Sequence, residues 1–319
     1  MRYHRGLLFW GLALITGGAV ALAAQQGYID HDALAGAWRL WPLILVAIGL
    51  SIILARTPAA VVGTIVAALV IGTAGGALIA VGPGVAACGG ADPTDLTTHN
   101  GTFGSTAQVQ LDFNCGTLRV GTTTGNQWAV AAGHTGGSAE TITSDTDRLT
   151  VTSRSNDNWF DAGRQRWNVT LPTATTYQLT VDPNAADTRI ELAGGHFTTV
   201  SVHPNAGSIF MDLTGATVDD LNLSLNAGSA SVIIGGPLDM SASMSVNAGS
   251  IELCTVGDVA LQVSSDPNIT FSTNLDGSGL TKAGNTWSTT NYASASQRVR
   301  LQLSGNAGSF TLNPEGGCS

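Results

Sequence analysis

Few residues in this chain stand where they could do chemistry. Its six histidines, His4, His31, His99, His134, His196 and His203, are scattered. His196 and His203 are near enough to share a corner, yet two imidazoles without a third ligand make a poor zinc site. Asp219 and Asp220 stand just before an apolar column and read as a solvated turn more readily than as a catalytic pair. The chain has no Gly-x-Ser-x-Gly, no phosphate-binding loop ending in Lys-Ser or Lys-Thr, no His-Glu-x-x-His and no glycine fingerprint after a strand. A polysaccharide-cleaving β-helix enzyme would need a base with acids nearby to hold calcium. Beyond Cys88 the single lysine is Lys282, and the arginines are dispersed. No catalytic, cofactor-binding or metal-ligating residue is assigned, and the chain reads as non-enzymatic.

The four cysteines, Cys88, Cys115, Cys254 and Cys318, all follow the last hydrophobic stretch, and none forms a Cys-x-x-Cys pair. Two disulfides, in any of three connectivities, and buried free thiols both fit this usage. Pairing Cys88 with Cys115 and Cys254 with Cys318 closes the shortest loops. Val85-Ala86-Ala87-Cys88-Gly89 also reads like a bacterial lipobox, in an unusual internal position, so lipidation of Cys88 competes with a structural role.

The elements that must carry these residues fall into two parts of opposite composition. Up to Cys88 there are only four basic residues, Arg2, Arg5, Arg39 and Arg56, and two acids, Asp30 and Asp32. Uncharged runs cover 7–24, 40–55 and 59–81, against a need of about 20 residues to cross the hydrocarbon core. The sequence therefore predicts a three-helix transmembrane bundle over residues 1–88, with Trp38 and Trp41 at a headgroup boundary. Arg2, Arg5 and Arg56 fall on one side and Asp30 and Asp32 on the other, so the N-terminus is expected in the cytoplasm and residues 89–319 outside. Ala68, Gly72 and Gly76 give the third span a nearly flat face on which another helix can pack closely. Beyond Cys88 stand 9 bases and 20 acids, a balance that excludes a nucleic-acid partner, whose phosphates call for a basic footprint.

Residues 89–319 are a repeat. Asn-Ala-Gly-Ser recurs at Asn205, Asn226 and Asn247, spaced by 21, and the same spacing reaches Asn184 and Asn268. Ten residues after the first four asparagines stand Gly194, Gly215, Gly236 and Gly257. Apolar columns keep register between these markers: Ile190, Met211, Val232, Leu253; Leu192, Leu213, Ile234; Val200, Leu221, Ala242, Val263; Val202, Leu223, Met244. Spacing of two within each column pair is the strand period. The expected fold is an all-β parallel β-helix or solenoid of 21-residue coils, clear over 184–275, with stacked asparagines at one corner. A further corner at Asn306 lies 38 residues beyond Asn268, which predicts an inserted loop around Asp276 to Ala293 and then a final coil at about 300–315. Val232 is expected inward and Ser231 outward and tolerant. Upstream, strands are implied at 109–113, 118–120 and 149–152, and Trp159, Phe160 and Trp167 are expected to close the end of the core rather than to stack on sugar rings.

Gly6-Leu-Leu-Phe-Trp-Gly with Arg39-Leu-Trp-Pro-Leu-Ile-Leu-Val-Ala-Ile-Gly-Leu resembles the LiaI/LiaF-like transmembrane region of bacterial envelope-stress proteins, over about residues 5 to 56. The remainder resembles the β-solenoid domains known as adhesin-type or as the LiaF C-terminal domain, in which a small-Gly-polar corner recurs as at Asn205 to Ser208. Those proteins usually carry four spans, and Asp is commoner where Ser208, Ser229 and Ser250 stand. The resemblance implies a membrane-anchored accessory regulator or sensor of envelope stress, acting on a membrane sensor kinase or another envelope protein. A surface adhesin or structural solenoid is the alternative.

Overall fold

The computed structural model describes residues 5–25, 63, 65–73, 91–135, 139–153, 163–235, 238–266 and 272–318. Two compact units divide the chain, Met1–Gly90 and Ala91–Ser319.

In the first unit α1 runs Arg5–Gln25, and residues 65–73 are also helical. Among the described residues no helix is long and apolar enough to cross a membrane. The expected stretch 7–24 falls within α1; the stretch 40–55 and most of 59–81 lie outside the described residues. Large apolar side chains point outward, with Trp10, Leu14, Ile15, Val66 and Leu69 exposed, while Gly17, Ala67, Ala68 and Gly72 are buried. Water selects the reverse arrangement; a bundle held in lipid packs its small residues inside. The Thr16 hydroxyl donates to the Leu12 carbonyl at 2.8 Å, satisfying itself within the helix as a polar side chain in an apolar medium must.

The second unit is built from β1 (Thr97–Thr102), β2 (Thr106–Thr123), β3 (Gln127–Thr135), β4 (Thr141–Ser144), β5 (Arg148–Thr152), β6 (Arg164–Pro172), β7 (Thr176–Glu191) and β8 (His196–Val202). It continues with β9 (Ala206–Asp212), β10 (Thr217–Gly235), β11 (Met240–Val256), β12 (Leu261–Ser265), β13 (Ser272–Thr273), β14 (Thr281–Ala283), β15 (Thr286–Ser288) and β16 (Val299–Leu312).

Its centre is a stack of parallel coils. β7 pairs with β8 and β9, these pair with β10, and β10 pairs with β11. Partners such as Leu221 and Ala242, or Val232 and Leu253, are 21 residues apart, so the sequence period is the coil. Because the period is constant, like residues stack and the apolar columns become one core: Ile190, Met211, Val232, Leu192, Leu213, Ile234, Val200 and Val202 are wholly buried. Ser231 does face outward, but it is only 8% exposed, lying between Phe210 and Glu252 in register. The expectation of a tolerant surface there is corrected.

Antiparallel strands close both ends. β5 and β6 continue the stack beyond β2, and β3, then β1, add antiparallel to β6. The outermost strand, β1, is Thr-Thr-His-Asn-Gly-Thr, a polar edge that discourages further pairing. Trp167 is wholly buried, 4.9 Å from the Phe113 ring, so it closes the core and presents no platform for a sugar. Trp159 and Phe160 lie outside the described residues.

At the other end spatial order departs from sequence order. β16 pairs directly with β11, Ala248 with Ala307 and Ser250 with Ser309, and β12 pairs with the far side of β16. The strand expected to close the stack is thus interposed one place earlier. The segment expected as an inserted loop holds a 3-10 turn and the β14–β15 hairpin, which pairs antiparallel to β12. The two coils differ in the sequence at their corners. A Cβ at Gly228 would lie 2.0 Å from the Gly207 carbonyl oxygen, and one at Gly249 would lie 2.0 Å from that of Gly228. At these two corners the backbone leaves no room for a Cβ; in the same column Ala186, stacked between Gly116 and Gly207, carries one. Asn306-Ala-Gly-Ser has the glycine, whereas residues 268–273 read Asn-Ile-Thr-Phe-Ser-Thr.

Candidate functional site

The surface that the coils organise is a set of polar columns rather than a cleft. At the corner, Asn184 donates to Asn114 (2.7 Å), Asn205 to Asn184 (2.5 Å), Asn226 to Asn205 (2.8 Å), Asn247 to Asn226 (2.9 Å) and Asn306 to Asn247 (3.1 Å). Each carboxamide donates to one neighbour and accepts from the other, so the ladder is self-satisfying along its length. Asn268 lies outside the described residues, and its place in the ladder is taken by Asn306. Asn114 was missed by the sequence reading because it stands 70 residues before Asn184. The signal was there in Asn114-Cys-Gly-Thr, which shares the Asn-x-Gly corner.

On the side of β5 and β6, Ser153 and Gln165 extend the corner contacts. Ser153 Oγ accepts from the Asn114 N–H at 3.0 Å and donates to Gln165 Oε1 at 2.5 Å. Beside the ladder runs a hydroxyl column of Ser208, Ser229, Ser250 and Ser309 in register, ending on Asp187, which accepts from Ser208 at 2.6 Å. The next outward column carries Arg119 and Arg189 in register. Arg189 is braced by Glu191 at 2.9 Å and by the Phe210 ring at 4.1 Å.

The turn glycines Gly194, Gly215 and Gly257 have φ of 74°, 74° and 78°, left-handed backbone at which a side chain is strained. Gly236 lies outside the described residues. Cys254 and Cys318 form a disulfide across 5.9 Å between Cα atoms. Cys115 is disulfide-bonded, and Cys88 lies outside the described residues.

Among the described residues, the histidines and acids singled out in the sequence do not converge. His203 Nδ1 lies 2.8 Å from Asp182 on the surface, just after β8, and His196 is exposed at the opposite end of β8. Asp219 and Asp220 are exposed within β10, not in a turn. Among the described residues no three His, Cys, Asp or Glu side chains are placed to share a metal ion.

The perturbed groups are structural. Burial pushes the Tyr177 hydroxyl up to about 12, and it donates to the Pro172 carbonyl at 2.7 Å. Asp92 is held below the ordinary carboxylate value: burial opposes this, but hydrogen bonds from Arg164 and Thr117 outweigh it. Asp276 is held low first by the hydrogen bond from Lys282 and then by that from Trp287, at 2.9 and 2.8 Å. The last of these pins the β14–β15 hairpin over the end of the core.

Residues 98–235, from β1 to the end of β10, match the family described as the N-terminal domain of toast_rack, DUF2154. Residues 8–53 match the LiaI-LiaF-like transmembrane region. The chain thus carries one segment similar to a LiaI-LiaF-like transmembrane region and another similar to a toast_rack domain. Two solved structures are similar. One is a candidate cell adhesion protein from Clostridium sporogenes ATCC 15579, at 11% identity and a TM-score of 0.46, over 68% of this chain and 98% of that one. The other is a candidate adhesin from Bacteroides fragilis NCTC 9343, at 10% identity and 0.24, over 70% and 100%. No curated protein matches the chain.

Proposed function

We propose that this protein is a non-enzymatic accessory regulator or sensor of bacterial envelope stress that acts on a membrane histidine kinase. Three helices at about 7–24, 40–55 and 59–81 anchor it, with the N-terminus in the cytoplasm and the solenoid outside. The single observation that carries this reading is the pairing, in one chain, of a LiaI-LiaF-like membrane region with a toast_rack domain. The packing of the third span supports it, since Ala67, Ala68 and Gly72 are buried while Val66 and Leu69 are exposed. A flat face of small residues lets two backbones approach, and in lipid such packing supplies much of the association energy. Gly76, the next residue of that face, lies outside the described residues.

The test is the double variant Gly72→Leu with Gly76→Leu, with insertion and folding of the solenoid checked by surface labelling. The expected result is unchanged insertion and an altered output of an envelope-stress reporter. If the variant signals normally while deletion of residues 89–319 abolishes only surface attachment, the regulatory reading fails and a structural, adhesin-like role replaces it.

A further inference from the structure

The interposed strand carries an inference about how the solenoid closes, beyond the regulatory reading and independent of it. Three strands share one register at this end. Met240 faces Val299, which faces Leu261; Ala242 faces Leu301, which faces Val263; Met244 faces Leu303, which faces Ser265. Leu261, Val263 and Ser265 are the residues 21 positions after Met240, Ala242 and Met244. β12 thus already carries the register it would need to sit directly on β11, as β11 sits on β10, and β16 occupies a slot between two strands that fit each other without it.

The first face would lose little continuity, because Val263 is wholly buried and continues the Leu221–Ala242 column in either order. The second face differs, since residues 268–273 lack the glycine of the inner corners, and β13 pairs with β16 only at Ser309 and Phe310. With β16 gone, β13 would cover at most two residues of the β11 edge from Ala248 to Leu253, and the rest would stand unpaired, a template for another strand. β12 also leaves the ribosome before β16, so β11 meets β12 first.

Besides its ladders with β11 and β12, β16 carries further restraints at its C-terminal end. Asn274 grips the Leu312 backbone through both its N–H and its carbonyl, at 2.8 Å each. Asn313 Oδ1 accepts from the Thr255 N–H at 2.8 Å. Just beyond, Cys318 is bonded to Cys254 on β11.

We propose that β16 is an exchangeable closing strand. The domain has two strand orders in one register, β11–β16–β12 and β11–β12 with β16 withdrawn, and the Cys254–Cys318 disulfide fixes the first. Withdrawal would expose the β11 edge, so the disulfide decides whether the end of the solenoid is closed or open to strand addition.

The test uses the full chain in membranes and pairs of introduced cysteines on the outer face. Ser243 and Ser264 both face Gln302, so in the closed order they lie two strands apart, about 9.6 Å, beyond the ~7 Å reach of a disulfide. In the withdrawn order they are neighbours. The expected result is that Ser243→Cys with Ser264→Cys cross-links on oxidation when Cys254 and Cys318 are replaced by serine, and does not while they are intact. Absence of that cross-link in the serine variant, with β7–β10 amides still protected from exchange, overturns the proposal, as does equal cross-linking in both backgrounds.

Should the serine variant fail to fold, the wild-type chain reduced by a phosphine serves instead. Exchange of β16 amides is then expected to rise about a hundred-fold relative to those of β10, and unchanged protection of β16 overturns the proposal.

Discussion

Replacing Val232 by Asp tests the stacking of the solenoid most directly. The Val232 side chain is wholly buried, with Met211 and Leu253 its register neighbours on either side. Removing it forfeits roughly 1.5–3 kcal/mol of apolar burial. The carboxylate that replaces it has no partner, so it must take up a proton. A rise of about 3 to 4 pK units at neutral pH corresponds to roughly 4–5 kcal/mol. Together these approach about 6–8 kcal/mol, comparable to the whole stability of an ordinary domain, roughly 5–15 kcal/mol.

A clean control is Ser243→Asp, on an exposed position of the same stack between Asn222 and Gln302, with an expected cost within about 0.5 kcal/mol. Ser231→Asp should fall between, because its carboxylate would be half-covered and next to Glu252, whose Oε2 lies 3.5 Å from Ser231 Oγ. Hydrogen exchange on the full chain in detergent reads all three: loss of protection across β7–β11 for Val232→Asp, none for Ser243→Asp. Equal protection in these two variants would refute the inward and outward assignment and with it the stacked core.

Other outcomes follow from the same geometry. Gly228→Ala forces a Cβ to within 2.0 Å of the Gly207 carbonyl and should cost about 2–4 kcal/mol; Gly215→Ala, left-handed but in open space, should cost about 1 kcal/mol, so thermal unfolding should separate the two. Asn226→Ala removes two ladder hydrogen bonds and should cost about 1–2 kcal/mol, read as a lower melting temperature. Asp276 has a depressed pKa, so its contribution is present above the ordinary carboxylate range and lost as pH falls below about 4. Protection factors at β14 and β15, taken relative to the intrinsic exchange rate at each pH, should then fall on acidification in the wild type and change little in Asp276→Asn. A cysteine at position 3 should resist an impermeant maleimide in intact cells while one at Ser319 is labelled; the opposite pattern would invert the proposed orientation.

How much of this was legible in the sequence depended on how local the cause was. The columns through Val232 and Leu221 could be read because a constant period of 21 makes every coil repeat its predecessor, and period-two alternation assigns the faces within each. Asn114 was less visible, since the antiparallel strands and loop between it and Asn184 break the period even though the corner chemistry is kept. The covering of Ser231 was not legible at all: alternation gives the direction of a side chain, while burial depends on what its register neighbours, Phe210 and Glu252, bring beside it.

Strand order was the deepest omission, and it shows where periodicity stops being informative. Spacing along the chain says that β12 follows β11 by one coil, and the register agrees, but nothing periodic forbids a later strand from entering between them. A steric detail bears on it: at Gly228 and Gly249 one corner approaches the next carbonyl at a distance that admits no Cβ. Asn306-Ala-Gly-Ser carries the glycine of those corners and Asn268-Ile-Thr-Phe does not, a difference that spacing along the chain does not weigh. A tandem repeat therefore fixes what its coils are like before it fixes how they are arranged. Gly308→Ala is the decisive substitution: a Cβ there would lie 2.3 Å from the Gly249 carbonyl. It should loosen β16 selectively, raising its hydrogen exchange while β7–β10 stay protected. Unchanged exchange at β16 would mean that something other than the corner sets the order.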